Sequence, residues 1–333
     1  MHEVETMFSA REIPWHFSMT QDVTNITANV LTAAEALIES GLPWEVEKLP
    51  LYANFNTTGE GEPHVKPIEG HVAVARKTDG QVYGVVSDRY EIIQNEEMFE
   101  FVEALIGDGE AKYETAGALK EGAQVWCLVK LSDSIVVAED TISPYLLVTT
   151  SHNATQAFRA MTTPVRVVCA NTMRFALEGG SKASWAIRHT QSARGRVAQA
   201  KAALGLTYRY YEGFEEEVEA LMDQSIPEGV FEAINVTVFP TEDDDSERAE
   251  ATAERRRETV RSLYFESPTV TPYNGTGWGV VNAFNEWEQW STRAAEPTAK
   301  GLRSFGERYM ARNLRDDYPV TTTVAKALAA VRA

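Results

Sequence analysis

YETAGALKEGAQVWCLVKLSDSIVVAEDTISPYLLVTTSHNATQAFRAMTTPVRVV, residues 113–168, reads as a succession of β-strands and sets the fold class. Its apolar residues are mostly β-branched or aromatic, the types that fit a pleated, packed surface. The runs 113–119, 124–137 (bent at Ser132-Asp133) and 145–152 read as strands, and 156–161 and 165–168 form a further pair around Thr163-Pro164. Upstream, the apolar runs 71–77 and 82–86 flank Asp79-Gly80, the signature of a β-hairpin. Between hairpin and strands, 95–106 reads as a helix with Asn95 as its cap, Glu96 and Glu97 in the first turn and Gly107 as its stop. Downstream, 170–178 reads as a helix ended by Gly179-Gly180, followed by a short strand at 185–190. Segments 71–178 therefore predict an α+β unit, an antiparallel β-sheet core backed by helices.

The flanks add a short helix at 32–40, stopped by Gly41 and Pro43, a strand near 44–52 and a polar loop at 56–64. A long helix is expected over 192–224, because Val197, Leu204, Tyr208, Tyr211, Phe214, Val218 and Leu221 recur at helical spacing. Its first half is basic and its second acidic, against the macrodipole, so packing or a ligand selects it. Residues 241–258 read as a charged loop passing into a helix, and 275–333 as a mostly helical tail with Trp278, Phe284, Trp287 and Trp290. The expected division is 1–70, an N-terminal α/β extension; 71–225, the α+β core; and 226–333, an acidic linker with a helical C-terminal region.

A chain of 333 residues, 44% hydrophobic and 24% charged, has an ordinary globular composition and ample length for a core. No apolar run approaches the roughly 20 residues of a membrane span. Residues 1–18 lack an apolar h-region and read as no secretory signal. Cys127 and Cys169 each sit inside an apolar run and read as buried, reduced thiols of a cytoplasmic protein.

Charge is not spread evenly. Residues 141–211 hold nine Lys/Arg against one acid, Glu178: a local net charge of +8 that leaves −26 on the other 262 residues of a chain at −18. Opposite charges normally mix on a soluble surface. Either this island is a positive groove for a polyanion, or its arginines pair with acids on neighbouring elements. Aromatics are interleaved with it, as in grooves that hold single-stranded nucleic acid by phosphate contacts and base stacking. The candidate backbone contacts are Arg159, Arg166, Arg174, Lys182, Arg188, Arg194, Arg196 and Lys201, and the candidate stacking rings are Phe158 and Trp185.

Other motifs carry less. Gly275-Thr276-Gly277-Trp278-Gly279 has neither a preceding strand in a βαβ unit nor a following Lys-Ser/Thr, so it reads as a turn before a helix and not a phosphate loop. The six histidines show no metal-ligand spacing, and no metal or cofactor is expected. Glu242-Asp243-Asp244-Asp245 reads as a solvated loop and not a cation cage. Ser151-His152 lacks a nucleophile elbow and reads as a polar strand end.

PWH at 14–16, VVSDRYEIIQNEEMFEF at 85–101, SPYLLVTTSHNATQAFRAMTTPVRVVCANTM at 143–173, RHT at 188–190 and TGWGVVNAFNEW at 276–287 together resemble the phage/plasmid-like protein family, defined by a domain of unknown function. The resemblance implies a product of a bacterial mobile element acting in the host cytoplasm. The element order from 95 to 178, with YEII leading into NEEMF at 90–99, is similar to the β-β-β-α core of Rad52-like single-strand annealing proteins. That second resemblance implies single-stranded DNA in a basic groove around a homo-oligomeric ring. The expectation is a non-enzymatic single-stranded DNA-binding and annealing protein, a homo-oligomer in which the basic half of the long helix meets a neighbour's acidic half. A phage or host recombination protein is a candidate partner. The alternative is an interaction protein that counteracts a host defence factor and binds no nucleic acid. A nuclease would need carboxylates converging with a Lys or His, and no spacing here suggests them.

Overall fold

The computed structural model describes residues 4–9, 24–26, 32–55, 64–106, 111–131, 134–137, 140–166, 184–187, 196–241, 246–291 and 319–332. The chain opens with β1 (Val4–Ser9) and β2 (Thr24–Ile26), then α1 (Ala33–Glu39). Thr32 and Glu35 close a reciprocal capping box at the start of α1, and Gly41 leaves the helix with φ +70°. Next come β3 (Val46–Phe55), β4 (His64–Arg76) and β5 (Val82–Ser87), a three-stranded antiparallel sheet in that order. After α2 (Asn95–Ile106) follow β6 (Ala111–Leu119), β7 (Gln124–Leu131), β8 (Ile135–Val137), β9 (Asp140–Ser151), β10 (Phe158–Arg166) and β11 (Ser184–Ile187). These strands join β1 and β2 in a sheet of order β11-β10-β9-β7-β6-β1-β2, with β8 pairing onto β9. Every pairing in it is antiparallel except β1 with β2. The α+β, antiparallel expectation holds.

Both faces of the sheet centre are buried, which is why QVWCLVKL is a continuous apolar run and not an alternating one. On one face Cys127, Val148 and Ala160 stand opposite one another across three strands. They pack under α2 and the second half of α3 (Arg196–Asp223), whose Tyr210, Tyr211, Phe214, Val218 and Leu221 belong to the same core. On the other face Trp126, Leu128, Leu147 and Met161 are buried as well.

The expected break around Thr163-Pro164 is absent: β10 runs straight through it, with Pro164 opposite Pro144 on β9. Neither proline has an N–H to give, so this opposed pair adds no N–H donor to the ladder. Asn95 is likewise not a cap. It is buried, and its amide donates to the carbonyls of Leu42 and Trp44 while its oxygen meets His152 Nε2 at 3.0 Å. The α2 terminus is instead served by the Glu97 carboxylate, which accepts the Gln94 N–H at 2.7 Å.

The C-terminal region is helical: α4 (Glu228–Val238), α5 (Glu247–Glu266, capped by Ser246), α6 (Gly277–Glu286), a π-helical turn at Trp287–Ser291 and α7 (Pro319–Arg332). Phe231 of α4 stacks on Tyr264 of α5 at 4.1 Å between ring centroids. The buried Glu288 carboxylate accepts Val320 N–H at 3.1 Å, Thr321 N–H at 2.8 Å and the Thr321 hydroxyl at 2.7 Å, satisfying donors that α7 cannot pair internally. Trp278 Nε1 donates to the buried Asp140 carboxylate at 2.9 Å, tying α6 to the first residue of β9. One apolar cluster therefore runs from Phe8 to Leu328, through sheet and helices alike. The expected boundary at 70 falls inside β4, and β1 belongs to the large sheet.

Candidate nucleic-acid interface

The described part of the basic island lies on β10 and in the first part of α3. β10 carries Arg159 and Arg166, β11 is the edge strand beside it, and α3, which begins at Arg196 and contains Lys201, packs on β10 and β8. Arg159 is half-buried and stands in register with Thr149 on β9, on the face opposite the helices. Arg166 ends the β10 pairing opposite Ile142. The backbone of Trp185 pairs with Ala160. Arg174, Lys182, Arg188 and Arg194 lie outside the described residues, as do the expected helix at 170–178 and the acidic run at 242–245.

One stacking candidate fails. Phe158 is fully buried, and its ring meets Phe101 of α2 edge-on at 5.0 Å. Its one-residue offset from Arg159 turns it to the helix-covered face, so no ring surface is left for a base.

The acidic counterpart lies on the second half of α3, where Glu212, Glu215, Glu216 and Glu219 are exposed and Glu217 pairs with Arg332 of α7 at 2.9 Å. The long helix thus carries opposite charge at its two ends, and its middle is held in the core by Tyr210, Tyr211 and Phe214.

A second cluster joins the small sheet to the large one. The rings of Trp44, Tyr83 and His152 lie 5.5–6.1 Å apart, and Arg76 sits 5.1 Å above Trp44. The Asn95 amide is committed as a donor to two carbonyls, so His152 Nε2 carries the hydrogen in its contact with Asn95. Tyr90 donates to the Ser151 carbonyl at 2.9 Å, and burial raises its phenol pKa well above the ordinary value. Sequence reasoning missed this cluster, because its members lie far apart in the chain and share no spacing. Ser151 itself closes a turn: its hydroxyl donates to the Gln156 carbonyl and accepts the Gln156 N–H, each at 2.9 Å, which agrees with a polar strand end.

The glycine-rich stretch is a packing device. Gly275 holds φ +81°, Thr276 caps α6 by accepting the Gly279 N–H at 3.1 Å, and a Cβ on Gly279 would lie 2.2 Å from the Tyr273 carbonyl oxygen. Those contacts account for the glycines without a phosphate. Among the described residues no group of three His, Cys, Asp or Glu could hold a metal ion, and no helix is long and apolar enough to cross a membrane. Burial raises the Cys127 thiol pKa far above its usual range and leaves it protonated and unreactive.

A family model described as Domain of unknown function (DUF932) matches residues 82–315, more than two thirds of the chain. The chain belongs to this family. The match begins at β5 and takes in the basic island, α3, α6 and the π-helical turn that follows it. No curated protein and no solved structure matches the chain.

Proposed function

We propose that this DUF932 chain binds single-stranded DNA and anneals complementary strands without covalent chemistry, in the service of phage or plasmid recombination in a bacterial cytoplasm. The observation that carries this reading is the charge separation: +8 over residues 141–211 against −26 elsewhere. Cations along such a strip neutralise phosphates and release their counterions. An acidic body repels the polyanion everywhere else and confines it to the strip. The succession of α2, the antiparallel strands and the island supports a Rad52-like arrangement, in which copies of the chain associate and expose bases for pairing. On this reading the protein is a homo-oligomer, a closed ring being one form, and a phage or host recombination protein is a further partner.

A second reading rests on the exposed acids of α3. A surface that imitates nucleic acid would suit an interaction protein that counteracts a host defence factor.

Annealing of complementary oligonucleotides at graded salt tests the first reading. Acceleration over the protein-free rate, lost steeply as salt rises, is the expected result. No acceleration and no single-strand binding at any salt would sink it. Capture of a host protein without nucleic-acid affinity would favour the second reading, and magnesium-dependent cleavage would point to an enzyme.

A further inference from the structure

α5 sorts its charges by side. At 3.6 residues per turn Arg248, Arg255 and Arg256 fall within about 100° of one another, in a stripe about 12 Å long that also holds Thr252 and Thr259. Glu247, Glu250, Glu254 and Glu258 fall outside that stripe. The other two arginines of the helix are committed. Arg257 donates to the Phe239 carbonyl at 3.0 Å and pairs with Glu254 at 3.2 Å, and Arg261 pairs with Glu228 at 2.7 Å. Arg248, Arg255 and Arg256 are exposed, and among the described residues none of them forms an ion pair. The two threonine hydroxyls turn back onto the carbonyls of Arg248 and Arg255, each at 2.7 Å. Arg248 and Arg256 also line a hollow of about 430 Å3, together with Thr252, Ala249 and Ala253. In a chain with 49 acids against 31 Lys/Arg, such a stripe stands out.

α3 carries its complement. Glu212, Glu215, Glu216, Glu219 and Asp223 are exposed and fall within about 100° of one another, over about 16 Å of helix, opposite the buried Phe214, Val218 and Leu221. No Lys or Arg interrupts residues 212–223, and among the described residues these five acids form no ion pair. We infer that the acidic stripe of α3 docks on the arginine stripe of α5 in a second copy of this chain. The two stripes match in width, overlap in length and oppose in sign, and the hollow between Arg248 and Arg256 admits carboxylate side chains. Both helices pack against α6, which is buried from Gly277 to Asn285, so each stripe is presented on a fixed scaffold. A single exposed pair contributes little, whereas three guanidiniums facing five carboxylates form a network that salt weakens. The surfaces differ, so the contact is head-to-tail and repeats into a ring or a filament. It replaces the basic half of α3 as the partner of the acidic half, and leaves the basic island to single-stranded DNA. The inference rests on the homo-oligomer of the proposed function and is read without DNA.

The test is the mass of the full-length chain by light scattering at micromolar concentration, with no nucleic acid present. The wild type is expected at twice the chain mass or more at low salt, falling as salt rises. One reversed variant carries Glu212→Lys, Glu216→Lys and Glu219→Lys, and the other Arg248→Glu, Arg255→Glu and Arg256→Glu. Each alone should run at the single-chain mass with the wild-type melting curve, because all six side chains are exposed. Mixed in equal amounts, the two should associate again, since each then meets opposite charge at both stripes. A photo-crosslinking amino acid in place of Arg255 should join two chains, with the crosslink mapping to residues 212–223, and this arm decides the matter if a reversed variant does not fold. A wild type of single-chain mass, folded variants that keep the wild-type mass, no recovery on mixing, or a crosslink elsewhere would each overturn the inference. An arginine variant that keeps its mass and loses single-strand affinity would assign the α5 stripe to nucleic acid instead. Failure of the wild type to anneal strands, with the mass behaviour as expected, would count against the annealing reading and leave this contact standing.

Discussion

The hydroxyl of Tyr211 on α3 accepts the main-chain N–H of Tyr145 on β9 at 2.9 Å and donates to the carbonyl of the same residue at 2.8 Å. β7 stops pairing with β9 at Tyr145, and β8 pairs only from Ile142 back to Asp140. The phenol thus serves the strand where its ladder is interrupted, and it fixes the middle of α3 to the sheet beside β10. Removing one hydroxyl deprives two buried main-chain groups of this partner. Tyr211→Phe should lower unfolding stability by about 1–3 kcal/mol, the cost of leaving buried polar groups unsatisfied. Urea denaturation of the variant measures it, and an unchanged midpoint would show that the bond contributes nothing.

Phe158 should behave as a core residue and not as a base-stacking one. It is fully buried against Phe101. Phe158→Ala should cost about 3–5 kcal/mol of stability through the cavity it leaves. At a temperature where the variant is still folded, its single-strand affinity should equal the wild type's. A stable variant with weakened binding would put the ring back in the interface.

Most of the sheet is legible in the sequence because 113–168 is dense in β-branched and aromatic residues, and α3 because its apolar residues keep helical spacing. What escapes has identifiable causes. Pro164 reads as a break, and only its position opposite Pro144 across β9 and β10 shows that one continuous pairing passes through it. α4 hides behind Val, Ile and Thr, which favour strands; the stacking of Phe231 on Tyr264 overrides that preference. β1 gains its identity from Gly117 of β6, where a Cβ would lie 2.3 Å from the Thr6 carbonyl oxygen, a contact with no local signal. The basic island is visible in the charges alone, but which side of β10 faces outward is not: Phe158 and Arg159 are neighbours with opposite fates.

Alkaline pH should destabilise the fold before neutral pH affects it. Burial raises the pKa of the Cys127 thiol and of the Tyr90, Tyr113 and Tyr264 phenols above their ordinary values. In the unfolded chain these groups ionise near pH ~8.5 for a thiol and ~10 for a phenol. Their contribution is therefore fully present below the unfolded values and is lost as pH climbs through and beyond them, since the unfolded state then gives up protons that the folded state keeps. The melting temperature should hold up to about pH 8.5 and fall between about 9 and 11, with the phenolate absorbance of the buried tyrosines appearing together with unfolding. A flat melting temperature across that window, or phenolate absorbance from these tyrosines in the folded protein, would contradict the burial described for them.

The island arginines separate the groove reading from internal pairing. Arg159 is half-buried on the face opposite α2 and α3 and Arg166 closes the β10 pairing, while Arg188 and Arg194 lie in the stretch between β11 and α3 in sequence. If these side chains line a groove, replacing all four with Ala should weaken single-strand binding equally for all sequences. The slope of log affinity against log salt should become shallower by about 0.7 for each phosphate that is no longer neutralised. Folding should survive, because solvated positions usually cost within about 0.5 kcal/mol each. If they are buried partners of acids, the same changes should cost roughly 3–5 kcal/mol for each broken pair. A thermal melt of the variant distinguishes these cases before DNA is added. A folded variant with wild-type affinity and slope would remove the groove from β10 and β11, and an unfolded one would return the arginines to the interior as ion-pair partners.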